Sequence, residues 1–96
     1  MEKKIVWTVT AVEDLAKVIS YLDEKWERDI TDQFLRQLHK QLTLLKQFPK
    51  MGSASNVKPE IRRFVLSQHN SVFYSITPSN SIVILNVFDN RRDPGF

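Results

Sequence analysis

Ile61-Arg62-Arg63-Phe64-Val65-Leu66-Ser67-Gln68-His69-Asn70-Ser71-Val72-Phe73-Tyr74-Ser75-Ile76-Thr77-Pro78-Ser79-Asn80-Ser81-Ile82-Val83-Ile84-Leu85-Asn86-Val87-Phe88 is the stretch that decides the fold. It divides into three strand candidates, 61–68, 70–77 and 81–88, rich in β-branched and aromatic residues. Pro78-Ser79-Asn80 is a turn signal between the second and third. Connections this short predict an antiparallel meander. The third strand is apolar on both faces, which predicts a central position covered on both sides.

Upstream, residues 50–60 read as a polar loop holding Gly52 and Pro59. Loops of this kind are mobile and often functional. Before it, Phe34, Leu35, Leu38, Leu42, Leu45 and Phe48 form an apolar helical stripe, stopped by Pro49. Asp29 or Thr31 is the expected cap of that helix. An earlier helix carries the stripe Val12, Leu15, Ala16, Ile19, Leu22 and Trp26. Thr8 and Thr10 are its candidate caps, and Thr10 with Glu13 has capping-box spacing. The phase breaks at Glu27-Arg28-Asp29, so the two helices form an antiparallel hairpin. Lys4-Ile5-Val6-Trp7 reads as a first strand, paired at a sheet edge or beside the last strand.

The expected fold is therefore α+β, with the order β-α-α-β-β-β. An antiparallel-rich small sheet carries the helical hairpin on one face. Ninety-six residues make one domain, 1–96, with room for one core. The absence of cysteine excludes disulfides, thiolate metal sites and a cysteine nucleophile. Neither a secretory leader nor a membrane span is evident, which predicts a cytoplasmic protein that needs no membrane. The formal net charge is +3, and residues 50–96 carry all of it. That half presents a field suited to anions.

Four arginines stand out. Arg62 and Arg63 are adjacent on a strand, so they point to opposite faces. One reading has an arginine facing a cleft; the other has an ion pair with Asp14, Glu60 or Asp89 locking sheet to helix. Arg91 and Arg92 follow the last strand in Phe88-Asp89-Asn90-Arg91-Arg92-Asp93-Pro94-Gly95-Phe96. Their planar forks suit phosphate or carboxylate, and Asn90 adds an amide. The competing reading is a solvated tail, with Asp89 and Asp93 taking part of the charge.

Tyr74 shares a face with Val72 and Ile76. It is either a core tyrosine with its hydroxyl at the margin or a residue for base stacking or proton transfer. His69 is either a polar turn residue or a general acid or base. His39 reads as an exposed helix residue. No Gly-rich phosphate loop, nucleophile elbow or metal-ligand cluster is present, and no cofactor is expected.

Together these pieces resemble the RelE/ParE toxin superfamily of type II toxin–antitoxin modules. The resemblance rests on Trp7, the Ala11…Asp14-Leu15…Ile19…Tyr21-Leu22 helix and the Leu45…Phe48-Pro49 helix end. Ile61-Arg62-Arg63, Val72-Phe73-Tyr74 and Ile84-Leu85…Val87-Phe88-Asp89-Asn90-Arg91-Arg92-Asp93-Pro94 extend it over almost the whole chain. The ending looks most like ParE-like members, which include plasmid stabilisation proteins.

The resemblance implies a growth-inhibiting bacterial toxin neutralised by a cognate antitoxin. RelE-branch members cleave messenger RNA on the ribosome with a basic cluster on the sheet face; ParE members act on DNA gyrase. This chain has Ser71 where RelE-like enzymes place an arginine before the aromatic pair, and Phe96 where a tyrosine is found in some. The catalytic set is therefore incomplete, and the reading leans away from an enzyme. The expected target-binding residues are Arg62, Arg63, Asn90, Arg91 and Arg92. The alternatives are a ribosome-dependent endoribonuclease drawing on those arginines with His69 and Tyr74, and a non-toxic scaffold or corepressor.

Overall fold

The computed structural model describes residues 3–25, 27–67 and 70–89. The order is β1 (Lys4–Trp7), α1 (Val9–Lys25), α2 (Arg28–Gln47), β2 (Ser53–Ala54), β3 (Ile61–Val65), β4 (Asn70–Ile76) and β5 (Ser81–Asp89). The five strands form one sheet in the order β1-β5-β4-β3-β2. The last three make the expected antiparallel meander. β1 lies at an edge and pairs parallel with β5, from Lys4 opposite Ser81 to Trp7 opposite Ile84. Both options left open for that strand are thus realised at once.

The turn between β4 and β5 forms at the predicted residues. Asn80 takes a φ of 68°, a conformation that asparagine tolerates well. The Thr77 N–H donates to the Ser81 carbonyl, and the Thr77 hydroxyl accepts from the Ser81 N–H at 3.0 Å.

One hydrophobic core lies between the sheet and the helices. The sheet contributes Phe64, Val72, Tyr74, Ile82, Ile84 and Val87, and the helices contribute Ala11, Phe34, Leu38 and Leu45. β5 lies inside the sheet, but β4 is the central strand. β5 is also not covered equally on both sides: Ile82, Ile84 and Val87 are buried, while Val83, Leu85 and Phe88 on the opposite face are half-buried. Its inward positions change phase because Phe73 pairs with Asn86 and Tyr74 with Ile84, leaving Leu85 as the extra residue of a bulge. The Asp14 carboxylate accepts the Val87 N–H just beyond that bulge, at 3.2 Å.

The helix termini match expectation in part. α1 starts at Val9, so of the two candidate caps the structure uses Thr8, two residues before the Thr10–Glu13 box. Thr8 is its cap, accepting the Ala11 N–H at 3.1 Å. Thr8 wins because the β1–β5 pairing fixes it there: its hydroxyl reaches the Ile84 and Leu85 carbonyls at 3.0 and 3.1 Å. The buried face of α1 is also rotated. Ala11, Leu15, Val18 and Leu22 meet the core, whereas Val12 is 53% exposed. Neither Asp29 nor Thr31 caps α2, which begins at Arg28 after Glu27 with no side-chain cap. Thr31 is buried instead and donates its hydroxyl to the Asp23 carboxylate at 2.7 Å, tying α2 to α1. α2 ends where Pro49 requires, with the Phe48 N–H on the Leu44 carbonyl at 2.8 Å. The expected loop at 50–60 contains β2, whose Ser53 and Ala54 pair with Arg63 and Arg62.

Candidate functional site

The β3–β4 register separates the two neighbouring arginines. Arg62 stands opposite Tyr74 on the helix-covered face, and Arg63 opposite Phe73 on the other. The alternation of strand side chains accounts for the split.

Tyr74 is fully buried. Its ring tilts against Phe64 with centroids 5.9 Å apart. Its hydroxyl donates to the Pro49 carbonyl at 2.7 Å and accepts the Gly52 N–H at 3.0 Å. Burial pushes the phenol above its ordinary pKa, against the opposing pull of the Gly52 N–H and the Arg62 charge. A neutral phenol committed to two backbone groups is a poor proton-transfer group. Of the two readings for Tyr74, the core role is the one the geometry realises.

Arg62 closes the same corner. Its guanidinium donates to the Gly52 carbonyl at 2.6 Å and to the Lys50 carbonyl at 3.3 Å. The expected ion pair with Asp14, Glu60 or Asp89 is not made by Arg62. The inward register aims it at the chain leaving α2, where backbone carbonyls are the acceptors within reach, and Asp14 already holds Val87. Gly52 is what permits this closeness. A Cβ there would lie 2.6 Å from the Arg63 carbonyl oxygen and 2.8 Å from the Tyr74 hydroxyl. Pro49 and Gly52, which sequence reasoning treated as a helix stop and a loop residue, are therefore the partners of two candidate site residues. The available signal was weak: a buried tyrosine needs a partner for its hydroxyl, but backbone partners leave no mark in a sequence.

The helix-free face carries Arg63 in a different setting. Phe73 packs on Phe88 with ring centroids 4.4 Å apart. Val65, next but one after Arg63, is 59% exposed. Arg63 is half-buried there. His69, Asn90, Arg91 and Arg92 lie outside the described residues. β4 begins at Asn70 and β5 ends at Asp89, and these two pair with each other. His39 is exposed on α2, as expected. Among the described residues no group of three or more His, Asp or Glu is placed to hold a metal ion. Within the same residues no helix is long and apolar enough to cross a membrane.

Residues 5–94 match the family model described as the ParE toxin of the type II toxin–antitoxin system, parDE. No curated protein sequence gives a significant match. Among solved structures, the fold is similar to a chain of the chromosomal ParDE toxin–antitoxin system from P. aeruginosa, with a TM-score of 0.74 and 18% identity. That similarity covers 92% of this chain and 96% of the other.

Proposed function

We propose that this chain, which belongs to the ParE toxin family of type II toxin–antitoxin systems, is held inactive by a cognate antitoxin and inhibits growth by binding a macromolecular target such as DNA gyrase. One observation favours binding over messenger RNA cleavage. Tyr74 and Arg62, two of the side chains a nuclease would draw on, are spent on the Pro49, Lys50 and Gly52 backbone. A group that stabilises a phosphate transition state must aim at the developing charge; these two aim into their own protein. Arg63, on the helix-free face, remains a target-contact candidate, as do Asn90, Arg91 and Arg92 by sequence.

Induced expression in a bacterial host without the antitoxin tests this reading. The expected result is growth arrest with a DNA-damage response, relieved by co-expression of the product of the adjacent reading frame. Rapid, codon-phased cleavage of ribosome-bound transcripts without DNA damage would overturn it in favour of an endoribonuclease. Normal growth of cells containing soluble protein would favour the scaffold reading.

A further inference from the structure

The corner between α2 and β2 is unusual in being both pinned and apolar at its surface. Phe48 is 60% exposed and Met51 40% exposed, although each follows or precedes a residue fixed from within. The Met51 N–H donates to the Phe48 carbonyl at 3.0 Å, closing a tight turn around Pro49 and Lys50. Tyr74 holds Pro49 and Gly52 from beneath, and Arg62 holds Lys50 and Gly52 from the side. Gln47, Phe48, Pro49, Lys50 and Met51 line one open, mainly apolar hollow on this turn.

Its electrostatics are one-sided. Lys46 lies in the last turn of α2, Lys50 in the corner, and Arg62 against it. Neither Lys46 nor Lys50 forms an ion pair among the described residues. Glu60 is the sole carboxylate between residues 46 and 63, against five cations.

We propose that this corner is a preformed docking point for an acidic, amphipathic segment of the antitoxin, an inference that rests on the toxin–antitoxin reading above. An apolar side chain of that segment packs on Phe48 and Met51, whose thioether adapts to an irregular partner. Its carboxylates meet Lys46 and Lys50. Because Tyr74 and Arg62 already fix the turn, little ordering cost falls on binding. The apolar lining favours a peptide over a nucleic acid.

Isothermal titration of the purified protein with the full-length product of the adjacent reading frame tests this. Phe48→Ser with Met51→Ser is expected to weaken binding at least tenfold. Lys50→Glu, a change at an exposed side chain that leaves the apolar core untouched, is expected to weaken it and flatten its salt dependence. If wild type binds and all variants bind equally, the docking point is wrong while the toxin–antitoxin reading stands. If wild type does not bind, both fall. If the variants instead abolish self-association in sedimentation, or lower affinity for a single-stranded RNA, the occupant is a second copy or a nucleic acid and the proposal is overturned.

Discussion

The Tyr74 hydroxyl and the Pro49 carbonyl lie 2.7 Å apart, joining the central strand to the residue that ends α2. With the Gly52 N–H at 3.0 Å, that phenol satisfies one acceptor and one donor of the turn's backbone. Tyr74→Phe removes both bonds without changing the ring. A buried polar group left without a partner costs about 1–3 kcal/mol, so the urea midpoint of the variant should fall accordingly. An unchanged midpoint would mean that water reaches the corner.

The same phenol predicts a pH dependence. Its folded pKa is raised above the unfolded value, chiefly by burial. Below about pH 10 both states hold the proton, and the contribution is complete. Above that, the unfolded chain ionises first, and stability is lost as the pH rises through the folded pKa. Tyr74→Phe should therefore lose less stability than wild type between neutral and strongly alkaline pH. Parallel urea titrations across that range would show the two curves converging. Curves that stay parallel would contradict a raised folded pKa.

Gly52→Ala probes the same corner from the backbone side. The new methyl would sit 2.6 Å from the Arg63 carbonyl oxygen, a rigid atom within the β2–β3 pairing. Relief requires moving the turn off Tyr74 and Arg62. Overpacking of this kind costs about 1–3 kcal/mol, and in a domain this small each kcal/mol lowers the thermal midpoint by roughly 4–8 °C. Calorimetry measures it directly. A midpoint equal to wild type would show that the turn adapts without strain.

At the other end of the sheet, Thr8 does three tasks at once. Its hydroxyl accepts from Ala11 at the start of α1 and points at the Ile84 and Leu85 carbonyls of β5. Thr8→Ala should cost about 0.5–2 kcal/mol, in the range of a lost helix cap, and Thr8→Ser should recover most of it. Thr10→Ala, inside the helix, should cost much less. Equal losses at the two positions in urea melts would place the cap wrongly.

The strands were legible because alternation is a strong signal: Val72, Tyr74 and Ile76 fall on one face whatever the partner strand does. The helices were legible as helices, but the face of α1 was not. Leu15 and Leu22 belong equally to the stripe with Val12, Ala16 and Ile19 and to the stripe with Ala11 and Val18. A periodicity of 3.6 residues cannot choose between two overlapping stripes; the packing against β5 chooses. β2 has two residues, too few to alternate, so its pairing with Arg62 and Arg63 could not be read. The split of that arginine pair was legible, since neighbours on a strand diverge. What captured Arg62 was not, because its acceptors are main-chain carbonyls and every residue has one.

That split supplies the last prediction. Arg62→Ala removes the donors on the Gly52 and Lys50 carbonyls. Hydrogen bonds from a charged group are each worth about 1.5–3 kcal/mol, and partial exposure of this guanidinium puts the loss toward the lower end. Both bonds leave the one nitrogen Nη1, so Arg62→Lys, whose single ammonium also carries several donors, should restore part of the loss. Arg63 faces the helix-free side, the surface proposed above to meet the target. Arg63→Ala should therefore weaken growth inhibition more than its loss of stability explains, whereas Arg62→Ala should weaken inhibition only as far as it lowers the folded population. Plotting inhibition on induction against the urea midpoint separates the two. An Arg63→Ala protein that is soluble, folded and fully inhibitory would remove Arg63 from the target surface and leave that role to residues beyond β5.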